Sequence, residues 1–394
     1  MNDPAVYVAS STAKDKVHPA ARPARLHSLD ALRGFDMFWI VSGEGLIHSL
    51  AAASGWTVFK WMSDQLHHSD WNGFTFYDLI FPLFIFVAGV SMAYSISNQL
   101  EKPGLINQKE IKKKIFTALL KRTLILIGLG MVINGLLKWQ GYENTRFASV
   151  LARIALSGFF AALIFLNFNF RGQLAWFTGI LLGYWALMVL VPVPGHGAGV
   201  LTPEGNLEAY VDRILLPGKL HRRVYDPEGL LSTLPAVCSA LSGIFTGQFL
   251  RWQRTWWTAP RKGLAMSGAG LLLILLAWIW HPFFPINKNM WTSSFVLCTS
   301  GWSLLFMSAC YLLIDVAGIR TWAKPFVWIG MNSILIYLAA HGLVNFESTA
   351  AFLFGGLIQR TGPAWQPVWI AAAIAAVQLV LLYVLYKKKL FLKV

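Results

Sequence analysis

The segment HHSDWNGFTFYDLIFPLFIF (67–86) carries the densest set of groups able to do chemistry. His68 precedes Asp78 by ten residues, with Trp71, Asn72 and Gly73 between them. A turn of that length folds back far enough for a carboxylate to orient an imidazole, the arrangement of a general base and its orienter. Histidine also takes and returns a proton near neutral pH. By spacing alone His67 is as available as His68, and a solvated loop histidine is the plainer reading of either.

Other ionisable or amide side chains stand inside apolar runs, where a charge costs several kcal/mol unless it is paired or faces a cavity. They are Asp36 and Glu44 in the first run, Arg153 in the fourth, and Asn332 and His341 in the ninth. Structural readings compete at each position: Asp78 as a helix cap, Asn332 as an interhelical hydrogen bond, Arg153 as the partner of Glu44. In SLDALRG (28–34), Asp30, Arg33 and Asp36 recur at i, i+3 spacing and form a charge ladder on one helix face. Arg33, with the basic run 109–114, also suits an anionic cytoplasmic ligand such as a nucleotide-bearing cofactor.

The elements that must position these groups are membrane helices. Of 394 residues, 56% are apolar and 13% charged, against about 25% charged in soluble domains. Apolar runs of the ~20 residues needed to cross a bilayer recur at 34–53, 77–97, 116–137, 149–167, 173–193, 232–250, 263–280, 291–315, 325–344 and 366–386. The expected fold is an all-α polytopic bundle of about 10 transmembrane helices with both termini cytoplasmic. Most of the 33 Lys and Arg then fall on inside segments, so the net charge of +15 reads as a topology signal and not as a nucleic-acid surface. Residues 1–25 read as a disordered basic cytoplasmic N-terminus ahead of one membrane domain, 26–394. The stretch 345–365 is apolar enough to be re-entrant. Two loops, 54–76 and 194–231, are expected outside and are long enough to carry binding and chemistry. Cys238, Cys298 and Cys310 lie in apolar runs, which argues against a disulfide framework, and no metal-ligand spacing is present.

The chain resembles the heparan-α-glucosaminide N-acetyltransferase family in its membrane core. The stretches that carry the resemblance run in order from residue 26 to the C-terminus: LHSLDALRG (26–34), HSDWNGFTFYDLIFPLFIFVAG (68–89), ARIAL (152–156), LVPVPG (190–195), YDPEGLLST (225–233), PINKNMWTSSF (285–295), GMNSILIY (330–337) and YKKKLF (386–391). The resemblance implies that acetyl-CoA from the cytoplasm donates its acetyl group to the amine of a glucosamine-type sugar on the far side of a bacterial inner membrane. It selects His68, three residues before WNG, as the active histidine and Asp78 as its helix-opening partner. A catalytic Asn of lysosomal members falls, counted from the RG pair, on Glu44.

Amide formation from a thioester needs a neutral amine, a base and donors for the developing oxyanion. In that scheme His68 is the base or an acetyl carrier, with Asp78 orienting it, and Glu44 holds or deprotonates the acceptor. Trp71, Asn72, Asn289, Asn332 and His341 are the candidate substrate-binding residues, the asparagines as oxyanion donors. Arg33, Lys288 and Arg153 are the candidate contacts to CoA, with loop capping an equal reading of Lys288. An amino-sugar permease and a polysaccharide O-acyltransferase are the competing functions, and exposed helix faces permit a homodimer.

Overall fold

A computed structural model describes residues 26–101, 107–139 and 141–392; the expected N-terminal segment 1–25 lies outside them. Among the described residues every regular element is helical. In chain order they are α1 (His27–Phe38), α2 (Glu44–Ser54), α3 (Thr57–Gln65), α4 (Phe76–Leu100), α5 (Gln108–Ile133), α6 (Val150–Asn167), α7 (Phe170–Leu190) and α8 (Leu207–Leu215). They continue with α9 (Thr233–Arg251), α10 (Ala259–Trp280), α11 (Ser293–Cys310), α12 (Lys324–Met331), α13 (Ser333–Leu338), α14 (Phe346–Ile358) and α15 (Gln366–Lys387).

Eight of these runs are long and apolar enough to cross a membrane, and the pair 324–331 and 333–343, bent by 75°, makes a ninth if it is one span. That differs from the ten expected. The run 34–53 is helical, but it is divided between α1 and α2 by a π turn, Trp39–Gly43. The stretch 345–365 contains the short apolar helix α14, which follows another π turn, Ala339–Leu343, where Gly342 takes φ 134°. Neither α3 nor α8 was expected from the two long loops, which hydropathy reads only as polar connections.

The bundle has an inner and an outer set of helices. Helices α4, α9 and α11 are mostly buried, whereas α5, α7, α10 and α15 turn most of their apolar surface outward. Leu124, Leu271, Leu275 and Trp278 are exposed in this way. For a chain in lipid this surface is solvated by hydrocarbon, so helix association rests on close packing and small residues. Gly89 of α4 faces Gly243 of α9, Gly34 of α1 faces Gly330 of α12, and Gly270 of α10 faces Gly301 of α11. At each crossing a methyl group would meet the backbone of the partner helix.

These contacts make a prediction about stability. Gly34→Ala would drive a methyl into the Phe326 carbonyl and should cost about 1–3 kcal/mol. Gly128→Ala, on α5 with open space around it, should leave stability unchanged or slightly raised. Thermal unfolding in detergent, followed by tryptophan fluorescence, compares them; equal midpoints would contradict the close crossing.

Candidate functional site

Asp78 is the third residue of α4 and closes a capping box with Thr75. Its Oδ2 accepts hydrogen bonds from the Thr75 backbone N–H at 3.2 Å, the Thr75 hydroxyl at 3.1 Å and the Ser69 hydroxyl at 2.9 Å. Oδ1 is left for His68, whose Nδ1 lies 2.9 Å away. The carboxylate is fully buried, while half of the His68 side chain, 49%, is exposed. Asp78 is thus both cap and orienter. Donation by Nδ1–H to Oδ1 assigns the tautomer that leaves the Nε2 lone pair open.

Lys288, from the 281–292 loop, completes the group. Its Nζ is 2.9 Å from His68 Nδ1, 3.1 Å from Nε2 and 3.6 Å from Asp78 Oδ1. Near-equal distances to both ring nitrogens put the amine over the imidazole, off the in-plane axis of Nε2. Burial lowers the Lys288 pKa, and the Asp78 charge opposes that shift without cancelling it. The WNG motif holds this loop in place: Gly73 N–H donates to the Ile286 carbonyl at 2.9 Å, and the Asn287 amide donates to Asn72 Oδ1 at 3.1 Å. Trp71 Nε1–H donates to the Leu201 carbonyl at 2.8 Å, and its ring meets Tyr225 edge-on.

His68, Tyr77, Lys288, Glu228 and His341 form the polar end of a cavity of about 190 Å³. Apart from Tyr337 on α13, the rest of the lining is apolar, with Ile80, Phe81 and Phe84 on α4, Met37 and Ile40 on the first run, and Leu151 and Ile154 on α6. Phe84 lies seven residues past Tyr77, about 10 Å into the bundle along the helix axis. Ile154 also lines a second, smaller cavity, which reaches Arg122 and Thr123 on α5.

The remaining candidates are dispersed. Glu44 accepts a hydrogen bond from the Tyr77 hydroxyl and lies 3.7 Å from His48. It does not pair with Arg153 as expected. The Arg153 guanidinium instead donates to the Gly229 carbonyl at 2.9 Å and to the Ser232 hydroxyl at 2.5 Å, and it lies over the Trp291 ring. It therefore anchors the 194–232 loop and is absent from the cavity wall. Asn332 uses both ends of its amide on the C-terminal tail, at the Leu390 carbonyl and the Leu392 N–H. Asn289 is half-buried outside the cavity lining. Trp71 and Asn72 are likewise absent from the lining, because their polar atoms hold loops together. Lys288 lies at His68, whereas Arg33 donates to Ser91 at 2.5 Å on the opposite half of the bundle, so these two do not share a site. His341 lines the cavity, with Nδ1 3.0 Å from the Tyr337 carbonyl.

Sequence reasoning missed Tyr77, Glu228 and the ion network behind it. Arg146 binds Asp226 through Nε at 2.8 Å and Nη2 at 2.5 Å, and also pairs with Glu228. Burial pushes the Asp226 carboxyl up, but Arg146 outweighs it, and the net pKa lies below the ordinary carboxylate value. Arg146 and Glu228 sit in loops with no spacing motif linking them. The one available signal was YDPEGLLST, read for resemblance and not for charge pairing.

A sequence model of an acyltransferase-domain family matches residues 26–387. The chain belongs to that family. It is a multi-pass membrane acyltransferase. Among its relatives, the human protein called heparan-alpha-glucosaminide N-acetyltransferase is 27% identical across 95% of this chain and 61% of its own length. The mouse protein of that name is 29% identical across 83% of this chain and 56% of its own length. The chain thus spans about three fifths of the curated relatives it matches.

Glu208 and Asp212, one turn apart on α8, are both buried in the acyltransferase beside Arg153 and Ser232. Burial raises both, Asp212 to about 6. A carboxyl that holds its proton in the fold more tightly than in the unfolded chain, near pH 3.9, favours folding at low pH and loses that contribution as pH rises through 6. Asp212→Asn keeps the oxygen that accepts the Leu230 N–H and should flatten the fall of the thermal midpoint between about pH 4 and pH 7. Unchanged pH dependence in the variant would remove Asp212 as its source.

Proposed function

We propose that this acyltransferase is a transmembrane N-acetyltransferase, moving acetyl from cytoplasmic acetyl-CoA to the amine of a glucosamine-type sugar on the periplasmic side of a bacterial inner membrane. The observation that carries the reading is His68, oriented through Nδ1 by a buried carboxylate and open at Nε2, at the polar end of a cavity whose other walls are apolar. The names of the human and mouse relatives support the acetyl group and the acceptor class.

The geometry suits the chemistry. The apolar part of the cavity accommodates the uncharged arm of a thioester and keeps water from it, while the sugar approaches from the loop end, where His68 and His341 are exposed. His68 Nε2 takes the proton as the amine attacks, and Asp78 stabilises the imidazolium that forms. Lys288, in its protonated form, supplies positive charge beside the carbonyl oxygen as it becomes an oxyanion. Glu44, held by the Tyr77 hydroxyl, and Glu228 offer carboxylates to an incoming ammonium. Arg33 and Arg122, in the other half of the bundle, suit the phosphates of CoA. The same cavity and base would also serve a hydroxyl acceptor, and that outcome is read in the same assay.

Purified protein in proteoliposomes should consume external acetyl-CoA and yield N-acetylglucosamine from internal glucosamine. A sugar offering only hydroxyl groups should remain unmodified. His68→Ala should lower kcat by about 10²–10⁴-fold and Asp78→Asn by a comparable factor, through the lost tautomer. Normal transfer by His68→Ala, or accumulation of unmodified sugar without thioester consumption, would overturn the proposal. Acetylation of the hydroxyl-only sugar in place of glucosamine would assign the O-acyltransferase reading instead.

A further inference from the structure

The reaction proposed above brings a thioester to a base, and the protein places an amine of its own beside that base. Lys288 Nζ stands within 3.1 Å of His68 Nε2, the nitrogen that must remove the acceptor's proton, and its side chain lines the same cavity. Only 14% of that side chain is exposed, so water does little to keep it charged. Burial also holds its pKa below the ordinary lysine value, which enriches the nucleophilic neutral amine. The lysine differs from the sugar amine in being tethered, and it needs only a side-chain rotation from over the ring to reach the Nε2 axis.

We propose that Lys288 is an internal acyl acceptor: with an acyl thioester in the cavity and no sugar amine present, the enzyme acylates Lys288 Nζ and so switches itself off. The inference rests on the acetyltransferase reading of the site. In the step, Nζ attacks the thioester carbonyl, a C–N bond forms and the C–S bond breaks. The proton lost from Nζ passes to His68 and from His68 to the departing sulfur, giving an Nε-acyl lysine and a free thiol. The product has no positive charge near Asp78 Oδ1, now 3.6 Å from Nζ, and its added acyl group occupies cavity space beside His68. Both changes stop further turnover. The acceptor amine protects the enzyme by competing for the same base and the same acyl group.

The protein in lipid nanodiscs, incubated with acetyl-CoA and no sugar, tests this by peptide mass spectrometry. Acetyl-Lys288 should accumulate towards one per chain, in step with loss of the initial rate of glucosamine acetylation measured afterwards. Glucosamine present during incubation should slow both. His68→Ala should abolish modification of Lys288 while leaving the slow chemical acetylation of exposed lysines such as Lys113 unchanged. In Lys288→Arg, whatever its absolute rate, preincubation with acetyl-CoA should cause no further loss. An unmodified Lys288 in a preparation that acetylates glucosamine would refute the internal acceptor and leave the acetyltransferase reading standing. Acetylation of Lys288 that is undiminished in His68→Ala would refute it as well, since the modification would then be uncatalysed. Transfer to neither glucosamine nor lysine would overturn both.

Discussion

The contact between Asp78 and His68 sets the requirements that much of the surrounding structure meets. A carboxylate with no exposed surface is costly to bury unless its oxygens are fully engaged. Here one oxygen is held by Thr75 and Ser69, and the other faces His68 and Lys288. Because Asp78 is also the residue that caps α4, the helix cannot shift along its axis without moving the imidazole. Pro82, four residues on, removes the helical hydrogen bond that the Asp78 carbonyl would otherwise accept. The first turn of α4 therefore relies on side-chain capping more than an ordinary helix start does, and the carboxylate that closes the capping box also orients the His68 ring.

The loop end is built to the same logic at larger scale. The 194–232 loop is held by buried charges: Arg146 on Asp226 and Glu228, and Arg153 on Gly229 and Ser232, which in turn donates to Glu208. Such contacts gain little net stability over apolar packing, but each is expensive to break singly, because the partner is left buried and uncompensated. They fix the loop geometry and bring Glu228 to the cavity wall. Arg153, which stands out in the sequence as an isolated intramembrane charge, is used with Arg146 at the junction between bundle and loop, where the chain must leave one environment for another.

How much of this was legible in the sequence follows from the range of the interactions. The membrane runs are visible because hydropathy sums over ~20 adjacent residues, and the His68–Asp78 pairing because both partners share one short turn. The π turns at Trp39–Gly43 and Ala339–Leu343 were not visible, since one extra residue per turn leaves the apolar pattern nearly intact. The pairing of Arg153 with Gly229 and Ser232 joins positions 76 and 79 residues apart, and that of Lys288 with His68 spans 220. Residue type advertised those groups, but only tertiary packing chose their partners. Asn332 shows the converse: a polar residue in an apolar run drew attention as a candidate donor, yet its amide closes the C-terminal tail.

Helix α4 shows why a hydropathy profile locates a membrane helix without revealing what its faces do. The helix is apolar all round, so no polar stripe distinguishes its sides. The faces differ in size and not in polarity. Phe86, Gly89, Val90 and Ala93 meet Gly243 and Gly247 of α9 closely enough that added methyl groups would strike backbone or side-chain atoms. Tyr77, Ile80, Phe81 and Phe84 line the main cavity, and Ala88 and Met92 continue the same i, i+3/i+4 stripe into the second one. A backbone-to-backbone crossing on one face leaves no room for a ligand there. The cavities must then lie on the other face, the main one against α1, α6 and α13 and the second against α5 and α6, in line with the Asp78 carboxylate that opens the helix. One glycine-lined contact thus determines which side of α4 is available to a ligand.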